Sequence, residues 1–344
     1  MRTSYVLALL LAPLAAQAVN IVLSNDDGWA EKNIRVFFDA LTAAGQNVVI
    51  SAPAENKSGT GSSDATPSPV GSSGCEFDSC PANSPAIGSN SSEPRFNYVN
   101  SYPVTSMRYG IQNLTSVLGG SADLAVAGFN VGANAGATVL ISGTVGAATE
   151  ASKLGVPAIA FSGSTGSQVA WNTATQTYQQ VYADLSTNVT DTLIKSGKPY
   201  LPDNIWLNVN FPKVDSSTCS STSEFKFVLS RIYPGLGGDV ETCGGTSLPS
   251  ESSVIGASGC YASISVANAD TKSDVDSSTQ KVVLDKLSSI LSCLPTNSTS
   301  ASASSTSTSS STSASHTSAG NQNEIKFASF ATALGAFAFG QFIM

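Results

Sequence analysis

The run Asn20–Ser24, NIVLS, leads straight into Asn25-Asp26-Asp27-Gly28, and a segment of helical period follows it. A short apolar run rich in β-branched residues reads as a buried strand. Ile34, Phe37, Phe38 and Leu41 then recur at the spacing of one helix face, with Gly45 as the stop. Asn47–Ser51, NVVIS, is a second such strand. Strand, helix and strand in this order form a βαβ unit, which commits the chain to a parallel sheet. The pattern returns. Strands are expected at 122–127 and 157–161, with an Ala-rich helix between them that starts at Ser142-Gly143-Thr144 and is stopped by Gly155. A helix over 178–195 follows. Strands at 205–211, 225–232 and 259–267 and a helix at 280–293 make the last part richer in β structure. The fold class is α/β, doubly wound in its N-terminal half.

The two ends do not belong to that pattern. Residues 1–18 carry Arg2, an apolar run from Val6 to Ala12 and the small-x-small Ala16-Gln17-Ala18, the layout of a cleaved signal peptide. Residues 296–320 hold 18 Ser or Thr in 25 positions, the composition of an O-glycosylated stalk. Residues 321–344 give a short polar spacer and an uncharged apolar tail, which fits a GPI-attachment signal, with a retained tail anchor as the alternative. The folded domain is therefore expected at 19–295, secreted and held at the cell surface or wall, with membrane contact only through the C-terminal anchor. Secretion makes the cysteines legible. Cys75, Cys80, Cys219, Cys243, Cys260 and Cys293 are an even set in an oxidising route. Cys75–Cys80 is the expected local pair, and the other four should pair within the C-terminal third. Glycosylation sequons stand at Asn56, Asn90, Asn113, Asn188 and Asn297.

Charge and histidine content then exclude whole classes of function. With 16 Lys+Arg against 24 Asp+Glu, the net charge is −8, which leaves no clustered basic footprint for a nucleic-acid polymer. The one histidine, His316, lies in the Ser/Thr tract. Ser-His-Asp and Cys-His catalysis and phosphohistidine chemistry all need a histidine in the folded part, and so do His-rich zinc sites. A dinucleotide enzyme fails as well, because no G-x-G-x-x-G turn follows the first strand. What remains is chemistry built on carboxylates, hydroxyls, amides and a metal.

In open parallel sheets ligands bind at the C-terminal strand ends, and three chemically loaded loops leave such ends. Asp26 and Asp27 repel each other unless a cation or proton sits between them. Hard divalent cations prefer such oxygen ligands. The second loop, Asn56-Lys57-Ser58-Gly59-Thr60-Gly61-Ser62, offers N–H groups and hydroxyls to an anion. The third runs from Asn130 to Thr144 and ends at a helix start, where Ser142 is positioned to cap and free N–H groups favour phosphate. Together they describe a phosphate-ester site without histidine.

These stretches resemble the SurE survival-protein family of metal-dependent nucleotidases and acid phosphatases, in a secreted form of fungal type. The resemblance is carried by NIVLSNDDG (20–28), VVISAPAENKSGTGSS (48–63) and the long ADLAVAGFNVGANAGATVLISGTVGAATEASKLGVPAIAFS (122–162). WLNVNFP (206–212) and GCYASISVANADTKSD (259–274) match more weakly. The resemblance implies a Rossmann-like three-layer domain with a mostly parallel sheet and a β-rich C-terminal extension that makes contacts in a homodimer. It implies Asp26, Asp27, Ser58 and Asn130 as ligands of a divalent ion, Mg²⁺ or Mn²⁺. It places Asn56, Gly143 and Thr144, with Ser142 and Asn134 close by, at the phosphate. Asp26 and Asp27 would be the catalytic pair, one of them assisting, as base, the attack of water on phosphorus. The chain departs from the family at Glu31 and Asn33, where Ala and Gly are usual, and in a cysteine-bearing insert at about 64–95. A broad phosphomonoesterase acting on small phosphate monoesters is therefore the expected function. The alternative is a catalytically silent cell-surface binding or wall protein on the same fold.

Overall fold

Two parallel strands, β1 (Asn20–Ser24) and β2 (Asn47–Pro53), flank α1 (Lys32–Ala43), as the hydrophobic spacing requires. The computed structural model describes residues 18–295. The expected signal peptide (except Ala18), the stalk, the tail and His316 lie outside the described residues. Among the described residues no helix is long and apolar enough to cross a membrane.

The chain continues through β3 (Ile87–Ser89), β4 (Phe96–Val99), α2 (Pro103–Asn113), α3 (Thr115–Leu118), β5 (Leu124–Val131), α4 (Gly143–Lys153), β6 (Ala158–Gly163) and α5 (Thr177–Lys195). It closes with β7 (Ile205–Phe211), β8 (Lys226–Ser230), α6 (Glu251–Ile255), β9 (Tyr261–Asn268) and α7 (Ser277–Leu287). All nine strands join one sheet in the order β3-β4-β2-β1-β5-β6-β7-β9-β8. The run β4-β2-β1-β5-β6-β7 is parallel throughout. Chain order reverses between β1 and β5, which is where a doubly wound sheet opens a crevice at its C-terminal edge. The β-rich C-terminal part takes the form of two more strands on the same sheet: β9 runs antiparallel to β7, and β8 parallel to β9.

Alternation along the strands feeds two cores, since successive side chains point to opposite faces. Ile21, Leu23, Val48, Ile50, Leu124 and Val126 face α1 and α5. Val22, Val49, Ala125 and Ala127 face α2 and α4. The first core is aromatic. Phe37 meets Phe161 edge-on at 5.5 Å between centroids, and Tyr182 stacks on Phe211 at 5.3 Å. The second is built largely of alanine, with Ala147, Ala148 and Ala151 of α4 fully buried, so that α4 lies close to the sheet.

Several details differ from the expectation. β5 runs on to Val131, past a register shift between Ala127 and Asn130, so Asn130 sits in a strand rather than a loop. α7 starts at Ser277, capped by Asp276, and ends at Leu287 rather than reaching residue 293. The residues beyond it turn back, and the Ser292 N–H donates to the Phe227 carbonyl at 2.8 Å along the edge of β8. The 59–95 region contains β3, one 3-10 turn at Glu76–Asp78 and otherwise irregular chain. Cys75 pairs with Cys80 as expected, and the remaining four form Cys219–Cys260 and Cys243–Cys293.

Phe37 is wholly buried and ties α1 to β5 and β6 through Phe129 and Phe161. Phe37→Ala is expected to lower stability by about 3–5 kcal/mol, read from urea unfolding with an unchanged m-value.

Candidate active site

The acidic turn leaves the C-terminal end of β1 at the switch point. Asp26 and Asp27 are both almost fully buried. Asp26 points at the start of α4. Its Oδ2 accepts the Gly143 N–H at 3.1 Å and its Oδ1 accepts the Thr144 hydroxyl at 2.5 Å. A Cβ on Gly143 would fall 2.8 Å from the Asp26 Cβ, so only glycine permits this approach. A helix N-terminus favours negative charge, which offsets part of the cost of burying this carboxylate. Asp27 turns the other way. Its Oδ2 accepts the Val131 N–H at 3.0 Å and its Oδ1 accepts from Gln168 Nε2 at 2.8 Å.

Burial raises the pKa of Asp26, against the hydrogen bonds from Thr144 and Gly143. Burial, with the Asp26 charge added, pushes Asp27 up to about 7. Glu31, the N-cap of α1, is wholly buried and is pushed up to about 9 by burial and then by the charge of Asp27. The site therefore presents concentrated negative charge that a proton or a cation must balance.

The remaining expected residues lie on the neighbouring loops, some in contact with this pair and some not. Asn130 donates its amide to the carbonyls of Val131 and Gly132, at 3.1 and 2.7 Å. This leaves its Oδ1 with one long contact, 3.3 Å from the Thr144 hydroxyl. The β2 loop docks by its backbone, with the Lys57 N–H on the Asp26 carbonyl at 2.7 Å. Asn56 and Ser58 are exposed on it, and the Ser58 N–H donates to Asn56 Oδ1 at 2.7 Å. Asn56 Nδ2 donates to Gln168 Oε1, so a chain Asn56–Gln168–Asp27 links two of the loops. Ser142 caps α4, its hydroxyl accepting the Val145 N–H. The structure thus commits Ser142 to the helix start, and gives the Gly143 N–H and the Thr144 hydroxyl to Asp26. Asn134 faces Ser162, with its Nδ2 2.9 Å from the Ser162 hydroxyl.

Among the described residues no group of three or more His, Cys, Asp or Glu side chains is arranged to hold a metal ion. The donor chemistry on this rim is nonetheless two carboxylates, an amide oxygen held with a spare lone pair and a nearby hydroxyl. That all-oxygen set suits a hard divalent cation.

Some contributors escaped sequence reasoning. Gln168 sits in an irregular segment with no motif. Asn208 and Asn210 anchor the Asn134 loop: the Asn134 N–H donates to Asn210 Oδ1 and its carbonyl accepts from Asn208 Nδ2, both at 2.8 Å. Their signal was visible, since two asparagines at i and i+2 in a wholly buried strand demand partners. Glu251 closes this network, accepting from Asn208 Nδ2 at 2.7 Å and from the Gly136 N–H at 3.0 Å.

Residues 21–230 match the family described as "Survival protein SurE". An acid phosphatase of Yarrowia lipolytica is 34% identical over 291 residues, covering 73% of this chain and 79% of that protein. A 5'-nucleotidase SurE of Neisseria meningitidis is 32% identical over 57% of this chain and 66% of its own length. That of Maridesulfovibrio salexigens is 35% identical over 42% of this chain and 51% of its length. The crystal structure of the SurE protein from Aquifex aeolicus shares the fold, with a TM-score of 0.52 at 21% identity over 77% of this chain and 98% of that one.

Glu251 gives a pH test of the network. Burial pushes it up to about 8, against hydrogen bonds from Gly136 and Asn208. The folded protein keeps this proton to a higher pH than the unfolded chain does, so its contribution is complete at low pH and is lost as pH rises through about 8. Glu251→Gln removes that titration. Thermal unfolding of the variant is expected to fall less steeply than wild type as pH rises through this range.

Proposed function

The chain belongs to the SurE family, and from that membership we propose that it is a divalent-metal-dependent phosphomonoesterase of the nucleotidase or acid-phosphatase type. The observation that carries the reading is the buried Asp26-Asp27 pair, with Asp26 held by the start of α4 and Asp27 by Val131 and Gln168. On this reading Asp26, Asp27, Ser58 and Asn130 hold the cation. Mg²⁺ and Mn²⁺ suit the oxygen set. When bound, such an ion supplies charge neutralisation and Lewis-acid activation of water and phosphoryl oxygen.

The protein's own groups do the rest. Gly143 and Thr144 fix the rotamer of Asp26, and Val131 and Gln168 fix Asp27. Asn56, Asn134 and the Gly143-Thr144 helix start flank the phosphate, with Ser142 stabilising that start. Asp26 and Asp27 are the catalytic carboxylates. One of the two takes the proton of the attacking water, as a general base must.

The proposal includes the organisation of the chain: a signal peptide at 1–18, the phosphatase domain at 19–295, a stalk at 296–320 and a GPI signal at 321–344. Three disulfides among the described residues fit an oxidising route. The β-rich C-terminal part supplies the surface of a homodimer.

Assay of the secreted chain on p-nitrophenyl phosphate and nucleoside monophosphates tests the activity. Turnover is expected with Mn²⁺ or Mg²⁺, none with EDTA, and a loss of at least about 100-fold in Asp26→Asn. Turnover indifferent to both EDTA and the substitution would sink the metal mechanism. No turnover of any phosphoester would favour a silent binding protein. The Asn56 sequon provides a separate check. Its amide supports Gln168 beside Asp27, so Asn56 should be unmodified in active protein, and peptide mapping that finds a glycan there would contradict this placement.

A further inference from the structure

Glu76 sits in the short loop closed by Cys75–Cys80, inside the insert that departs from the family pattern. Its carboxyl group reaches the acidic turn. A Cβ placed on Gly28 would fall 1.7 Å from Glu76 Oε1 and 2.3 Å from its Cδ, so the carboxyl lies directly against the Gly28 backbone. Gly28 follows Asp27, holds φ at +114° and closes the turn with Asn25, donating its N–H to Asn25 Oδ1 and accepting from Asn25 Nδ2.

The same carboxyl joins two of the site loops. Burial is the largest influence on this carboxyl and holds it above the usual carboxylate range, against the backbone N–H groups of Asn56 on the β2 loop and Ala30 on the β1–α1 connection. Its Oε1 is buried with no hydrogen-bond partner among the described residues. The loop that presents it is anchored. The Glu76 N–H donates to the Ala54 carbonyl at 3.2 Å and the Cys75 N–H to the Cys80 carbonyl at 3.1 Å. The Ser79 N–H and hydroxyl both return to the Glu76 carbonyl. Phe77 and Asp78 each hold φ near +54°, a left-handed conformation that persists only where the surroundings impose it. The loop thus combines a disulfide, two left-handed residues and a half-buried glutamate whose Oε1 is out of solvent against the acidic turn.

We propose that the Cys75–Cys80 loop is part of the active site, and that Glu76 is a positioning residue that braces Gly28 and so holds the Asp26-Asp27 turn against the β2 loop in the geometry that takes the cation. This rests on the reading of the site as a cation site. Glu76 acts through the turn, not as a ligand.

The test is calorimetric titration of Mn²⁺ into the full chain after stripping with EDTA. Wild type is compared with Glu76→Ala, Glu76→Gln and the pair Cys75→Ser/Cys80→Ser. Thermal unfolding in EDTA monitors the fold. Glu76→Ala is expected to weaken Mn²⁺ binding by about 10- to 100-fold, the range for groups that orient metal ligands. The isosteric Gln should recover most of the affinity, and the disulfide-free pair should lose affinity as Ala does. Unchanged affinity in Glu76→Ala overturns the inference, and so does a Gln variant as weak as Ala, which would make charge rather than position the cause. If Glu76→Ala does not fold, unchanged affinity in the disulfide-free pair overturns it. A wild-type chain that binds no Mn²⁺ overturns the reading of the site itself.

Discussion

Two adjacent carboxylates buried at a strand end set the terms for everything around them. Desolvating an ion costs several kcal/mol even after relaxation, and a second one beside it adds repulsion. Asp26 and Asp27 are tolerated because each is met by donors from a different element. α4 supplies an N–H and a hydroxyl to Asp26, while β5 and the segment after β6 supply an N–H and an amide to Asp27. The parts that converge here are distant in sequence, so the pair is stable only once the sheet has formed. The site is therefore a consequence of topology: at the switch point, the ends of β1 and β5 and the start of α4 meet.

The two cores serve this convergence differently. The aromatic face, with Phe37, Phe129, Phe161, Tyr182 and Phe211, is bulky and sets the spacing of α1 and α5 from the sheet. The alanine face lets α4 approach closely, which brings Gly143 within reach of Asp26. A larger residue at 143 would push the helix start away from the carboxylate it stabilises. Small residues on α4 are thus a condition of the chemistry as well as of the packing.

How far the sequence could be read follows from the range of each interaction. β1, α1, β7 and the start of α4 were legible because period, caps and stops are local. The Asp26-Asp27 turn was legible for the same reason, since motif and strand end coincide. α2, α3 and α6 escaped notice: α3 and α6 are only 4 and 5 residues long, and α2 has a mixed face. The lengthening of β5 depends on its pairing with β6 beyond an irregularity, which no local pattern encodes. Gln168 and Glu76 were invisible as site residues because their partners lie 141 residues away in one case and across an irregular insert in the other. Glu31 was visible only as a departure. Its burial beside Asp27 is what gives the departure a physical meaning.

On the proposed reading of the site, the absence of histidine from the described residues has a structural answer. Proton transfer near neutral pH needs a group with acidity in that range, and an unperturbed carboxyl titrates about three units too low. Desolvation supplies the shift. Asp27 is raised to about 7, Glu76 to about 8 and Glu31 to about 9, in each case chiefly by burial. A hydrophobic sheet that forces carboxyls out of water therefore does, with aspartate and glutamate, what an imidazole does at its ordinary acidity. The same burial makes the site crave a cation. On that reading, proton handling and ion binding are two outcomes of one constraint, and they compete for the same oxygens.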